Sequence, residues 1–186
     1  MVIFVRADVR GNNMRKEYGK ALRALFRAEM RRVASHFSET KVDSVYFSPG
    51  DRAYCWRATE QLHCWIILSP SKKDYDEFTV LIGWSKKARY PALSLGLDYP
   101  TPERNEFDED EYLTRLPFLW GEDDRWWVVR EFQPPETVAE LEASLQPISA
   151  AQAQDAVRPL VGDAISRIAE MALPYLEELA ELEMSR

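Results

Sequence analysis

Cysteine is nearly absent from this chain: Cys55 and Cys64 are the only two in 186 residues. Two thiols do not build the bridged framework of a small secreted domain. Histidine is equally scarce, with His36 and His63 alone. The cysteines stand nine positions apart and His63 adjoins Cys64, which is not the two-to-four-residue ligand spacing of a zinc knuckle. No phosphate loop, no dinucleotide fingerprint and no Gly-x-Ser-x-Gly elbow occurs. A cysteine–histidine dyad could be drawn from Cys55 or Cys64 with His36, but no neighbouring residue would lower a thiol pKa. No apolar run approaches the roughly 20 residues of a membrane span. The opening Met1–Val5 run is too short for a signal-peptide core and lacks a basic segment ahead of it. These absences predict a cytoplasmic protein with reduced thiols, no cofactor and no metal.

What is present is enough for one packed domain spanning residues 1–186. Hydrophobic residues make up 46% of the chain and six tryptophans are among them, so a sizeable core is available. No internal repeat, low-complexity tract or long linker divides it. Residues 14–37 carry Met14, Tyr18, Leu22, Leu25, Phe26, Val33 and Phe37 at three- and four-residue steps, which predicts an amphipathic helix over 13–37 with Asn12 or Asn13 as its cap. The preceding residues 1–13 read as an edge strand at Val2–Val5 or as a tail, with Met14 as an alternative start.

From residue 44 the period changes. Ser44–Ser48, Arg52–Ala58, Cys64–Ser69, Glu77–Trp84, Ala92–Asp98 and Arg125–Phe132 are short, aromatic and β-branched, parted by turn residues such as Pro49-Gly50-Asp51. In Phe78–Trp84, alternation places Phe78, Val80, Ile82 and Trp84 on one face and Thr79, Leu81 and Gly83 on the other. Connections this short favour antiparallel pairing. Trp56 and Trp65 are expected to meet across their hairpin. Asp108 and Glu111 have capping-box spacing, which predicts a short helix ending before Pro117. After Pro134-Pro135 the pattern turns helical through Val138, Leu141 and Leu145. A second, longer helix follows from Ser149 and Gln152, with Pro159 starting or kinking it and Pro174 breaking it. The expected architecture is α+β: an N-terminal helix, a mostly antiparallel sheet of five or six strands, and C-terminal helices on one face.

Charge is sorted along this frame. Residues 1–41 carry a net of +6, residues 98–142 a net of −10, and the whole chain −7. Within the acidic part, Asp108, Glu109, Asp110, Glu122, Asp123 and Asp124, with Trp126 and Trp127 beside them, are candidates for binding a basic protein. One tryptophan of that pair should be core and the other near the surface, since neighbours in a strand point to opposite faces. The calcium-loop pattern is missing from these acids, and an ordinary solvated face is the competing account. On the N-terminal helix, Lys16, Lys20, Arg23, Arg27 and Arg31 form a ridge opposite the apolar stripe. It could track phosphates, though no aromatic residues interleave with it, and it could instead lie against the acidic segment. The acidic balance makes nucleic acid the minority reading.

The order of a leading helix, Tyr54-x-Trp56-Arg57, His63-x-Trp65-x-Ile67, Phe78-Thr79-Val80-x-x-Gly83 and Asp124-Arg125-Trp126-Trp127 resembles small bacterial domains of unknown function that join a helix to an antiparallel sheet. Some of those look like immunity proteins, which neutralise toxic effectors. The resemblance covers residues 14–132 and supplies no catalytic residue. It implies a partner-binding role, such as an immunity- or antitoxin-type inhibitor of a basic toxin or effector. Two competitors remain: an enzyme built from scattered carboxylates and aromatics, recognisable by a deep pocket with two converging carboxylates, and an anionic-surface binder using the helix ridge.

Overall fold

The computed structural model describes residues 16–72, 76–92, 106–122, 124–131, 133–144 and 146–185. Residues 1–13, most of the Ala92–Asp98 strand expected above, and Asp123 lie outside them.

Helix α1 runs Lys16–Val33 and buries Tyr18, Leu22, Phe26 and Met30, one residue per turn. Six strands follow: β1 (Ser38–Thr40), β2 (Arg52–Arg57), β3 (His63–Pro70), β4 (Asp76–Ser85), β5 (Glu111–Arg115) and β6 (Trp127–Arg130). All pairings are antiparallel, and β1 to β5 lie in sequence order as a meander. β3 runs along one edge of β4, and β5 and β6 share the other. β5 pairs with Leu81–Ser85 and β6 with Asp76–Phe78, which leaves Thr79 and Val80 unpaired on that edge. Gly83 is required where β5 crosses: a Cβ there would lie 2.1 Å from the Tyr112 carbonyl oxygen.

The C-terminal part is helical: α2 (Val138–Ser144), α3 (Ala150–Arg167), a π turn over Ile168–Ala172, and α4 (Leu173–Met184). Ser149 and Gln152 form a reciprocal capping box at the start of α3. α1 packs on α3, and both helical layers cover the sheet face that carries Phe78, Val80, Ile82 and Trp84. The opposite face carries a smaller cluster of Ala53, Cys55, Trp65, Ile67, Leu81, Tyr90 and Leu113, covered by Val42 and Phe47. The architecture is the expected α+β one, in a single domain.

Several local expectations are corrected. Ser44–Ser48 is a turn rather than a strand, and Val45 there is 93% exposed. Val45 and Tyr46 are turned to solvent, and Phe47 packs on the sheet as a side chain of the turn rather than as part of a ladder. The segment after Asp108 is β5 rather than a helix. Glu-Tyr-Leu-Thr-Arg alternates at period two, and five ladder positions against β4 outweigh a cap that would serve barely two turns. Trp56 and Trp65 do not meet. Register pairs Trp56 with Cys64 and Cys55 with Trp65, so the two rings lie on opposite faces. Pro159 does not start α3, which already spans nine residues before it. Pro174 does not end the helical path either, because the π turn carries the chain into α4 with the proline in its first turn.

Candidate functional site

β5 divides the acidic segment into two separate places. Asp108, Glu109 and Asp110 precede its first residue, whereas Glu122, Asp124 and Trp126 follow its last. Five residues of extended chain span ~17 Å, so the acids do not form one continuous patch.

The first group sits on a turn fixed at both sides. The Trp84 indole donates to the Glu109 carbonyl at 3.3 Å, and the Lys86 amide donates to the Asp110 carbonyl at 2.7 Å. Lys86 Nζ donates to the Phe107 carbonyl at 2.6 Å and pairs with Glu183 of α4 at 2.8 Å. The Phe107 ring lies 4.9 Å from Tyr175. These contacts bind the turn to the end of α4, whose Glu181, Leu182 and Met184 are exposed. Asp108 and Asp110 are exposed too, Asp110 within 3.1 Å of Lys87. Glu111, by contrast, is structural. It accepts from Arg89 Nε and the Ser85 hydroxyl, each at 2.9 Å, and Arg89 holds its carboxyl below the usual range.

Of the second group, Asp124 and Trp126 line a hollow of about 370 Å³ on the sheet face away from the helices. Asp124 pairs with Arg115 at the end of β5, and the Arg115 guanidinium lies over the Trp126 ring at 5.1 Å. Burial pushes the Arg115 pKa down. Glu77 and Thr79 of β4 and Ser69 of β3 line the same hollow. The Ser69 hydroxyl donates to Asp51 at 2.9 Å, and burial raises the Asp51 carboxyl to about 6. Two carboxylates, Glu77 and Asp124, therefore reach the hollow, but Asp124 is engaged by Arg115. Glu122 stands apart, 3.2 Å from Arg125. Trp127 faces the other way: it is 2% exposed, stacks on Phe78 at 5.5 Å and donates to Asp163 at 2.8 Å. Of the tryptophan pair, Trp127 is thus core, and Trp126 is half-buried in the wall of the hollow.

The basic ridge is partly consumed within the chain. Arg27 grips Glu39 of β1 through two hydrogen bonds of 2.6 and 2.9 Å, and Glu39 is also 3.9 Å from Arg52. Lys20 pairs with Glu17 at 2.9 Å, while burial and then Arg52 depress the Arg23 pKa. Lys16 and Arg31 stay exposed. Among the described residues the ridge's main intramolecular acid outside its own helix is therefore Glu39 of β1. Cys55 and Cys64 occupy opposite faces of the sheet, and burial pushes their thiols up to about 11 and about 12. Neither is primed as a nucleophile. His36 packs edge-on against Trp56 at 4.8 Å. Among the described residues no group of three His, Cys, Asp or Glu is placed to hold a metal ion, and no helix is long and apolar enough to cross a membrane.

Sequence reasoning found Asp124 and Trp126 but missed Arg115, Thr79 and the Asp51–Ser69 pair. The strand alternation already placed Thr79 with Leu81; what it lacked was the pairing of Leu81 with Arg115. Comparison with protein-family models, with curated proteins and with solved structures finds no match to this chain.

Proposed function

We propose that this chain is a non-catalytic, cytoplasmic binding domain that receives a basic protein on the acidic end face made by the 107–110 turn and the last turn of α4. The observation that carries the reading is Lys86. By joining Phe107, Asp110 and Glu183 it ties the turn that carries Asp108, Glu109 and Asp110 to the last turn of α4, which also carries exposed Glu181, Leu182 and Met184. A pre-ordered acidic rim around exposed apolar side chains suits a partner rich in Lys and Arg, because little ordering entropy remains to be lost on docking. The resemblance to immunity-type domains points to a toxic effector as that partner, neutralised by occlusion.

The test is a salt-dependent capture from the native organism, using as parallel baits the wild-type chain and the variant Asp108→Asn/Glu109→Gln/Asp110→Asn/Glu181→Gln. The reading expects one basic protein enriched near one-to-one at low salt. With each exposed charge contributing about 0.5 kcal/mol, the fourfold variant should bind ~30-fold more weakly and lose most of the salt dependence. Equal capture by both baits, or no basic partner at low salt, would refute it.

A further inference from the structure

The hollow on the sheet face away from the helices is a feature independent of the acidic end face. The sheet makes it by leaving a gap. β5 ends at Arg115, opposite Leu81, and β6 begins at Trp127, opposite Phe78. Between these points the chain turns away through the 3₁₀ segment Leu116–Trp120, whose Leu116 enters the helix-side core. Among the described residues no strand pairs with β4 at Thr79 on this edge, and a cavity of about 370 Å³ remains there. That volume lies within the range that holds a small organic molecule.

Two polar side chains that line this cavity, Thr79 and Arg115, are unfinished in one chemical sense. Thr79 is 2% exposed, and its Oγ1 has no hydrogen-bond partner among the described residues. Arg115 Nε, also buried, has none among them either. A buried polar group without a partner is uncommon, and each such group calls for an explanation. Thr79 and Arg115 are diagonal neighbours across the β4–β5 pair, about 7–8 Å apart at their α-carbons, so their side chains can converge on one small head group. Both can donate, and the missing piece is therefore an acceptor. Trp126 supplies a flat wall against which the guanidinium is already laid, fixing its plane and leaving its Nε edge for an oxyanion. Leu81 and Pro70 add apolar surface.

Charge narrows the head group further. Lys72 and Arg115 line the cavity together with Glu77 and Asp124, two cations against two anions. A doubly charged phosphate would meet both carboxylates, whereas one carboxylate needs only the idle donors. We propose that this cavity binds a small, flat monocarboxylate, its carboxylate held by Arg115 Nε and the Thr79 hydroxyl and its unsaturated body lying along Trp126.

The test uses indole-3-carboxylate as probe, with indole-3-carboxamide and phenyl phosphate beside it, and reads the indole N–H resonances of the protein. The Trp126 resonance is assigned by its absence from Trp126→Phe. A ligand of this size binding at about 1 mM is within reach of the method. Saturable movement of the Trp126 resonance with the carboxylate, and at least ~10-fold weaker binding of the carboxamide, is the expected result. Arg115→Lys keeps the charge but loses the planar fork, and should weaken binding ~10-fold. Should that variant fold poorly, Thr79→Val carries the test: it replaces an unpartnered hydroxyl by a methyl of the same shape, should melt no lower than wild type, and should still bind ~5-fold more weakly. The proposal is overturned by a Trp126 resonance that does not move, by equal binding of carboxylate and carboxamide, by tighter binding of phenyl phosphate, or by undiminished binding to Thr79→Val.

Discussion

Asp51 gives the sharpest quantitative prediction. Its carboxyl is 4% exposed, accepts from the Ser69 hydroxyl, and is raised from 3.8 to about 6, chiefly by burial, against the opposing pull of Lys72 and Arg52. A raised acid favours the folded state while it is neutral. The contribution is full below the unfolded value and is lost as pH rises through the folded one, that is, from about pH 4 to somewhat above pH 6. At about 1.4 kcal/mol for each pH unit, the ionised carboxylate costs the folded state about 3 kcal/mol at pH 8. Asparagine has the shape and neutrality of the protonated acid. Asp51→Asn should therefore match wild type near pH 4 and exceed it by about 3 kcal/mol near pH 8, or ~6–12 °C in Tm for a chain of this size. The assay is urea or thermal unfolding of both proteins across that range. Taking the difference between them cancels every other titrating group that the substitution leaves alone. A difference that stays flat with pH, or that grows toward acid, would refute the reasoning.

Three further outcomes follow from the packing. Gly83→Ala would place a methyl against the Tyr112 carbonyl oxygen, force β5 away from β4 and disturb the Trp84–Tyr112 stack at 4.7 Å; urea unfolding should register a loss of about 3–5 kcal/mol, and a loss below about 1 kcal/mol would contradict the geometry. Cys55 and Cys64, buried and with thiols raised to about 11 and about 12, should react with a thiol reagent at pH 8 at least ~100-fold more slowly in the native protein than in denaturant. Ser149→Ala removes half of the α3 capping box and should cost about 1 kcal/mol in the same unfolding assay, with Ser149→Asp restoring most of it.

Much of the scaffold could be read from period alone. Phe78, Val80, Ile82 and Trp84 fell on the buried helix-side face as their alternation required, and Tyr18, Leu22 and Phe26 did the same on α1. Within the sheet the failures share a cause: a partner strand, not the segment itself, decided the outcome. β1 is Ser-Glu-Thr, with no apolar signal, and exists because β2 offers it a ladder and Arg27 clamps Glu39. Glu111–Arg115 carried both a helix cap signal and an alternation, and β4 chose between them. Trp56 and Trp65 could meet only in a register one residue away from the actual one, which puts them on opposite faces. The cavity between β5 and β6 was invisible for the same reason. Thr79, Arg115 and Trp126 belong to three separate segments, and only the sharing of one edge of β4 by β5 and β6 brings them to one wall.

The π turn at Ile168–Ala172 sets the rotational phase of everything beyond it. The Leu173 amide bonds to the Ile168 carbonyl, five residues back, so the turn holds one residue more than an α-helical turn would. α3 and α4 therefore form a single rod with its clock advanced once, which keeps Leu176, Leu179 and Ala180 directed at the same core as Val161 and Ile165. Deleting exposed Ala169 would heal the hydrogen-bond pattern while turning α4 by ~100°. Local helicity would survive, but Leu176 would leave the core and Glu183 would swing off Lys86. The chain thus tolerates changes of side chain on this surface far better than changes of length, and the acidic end face exists only at one setting of that phase.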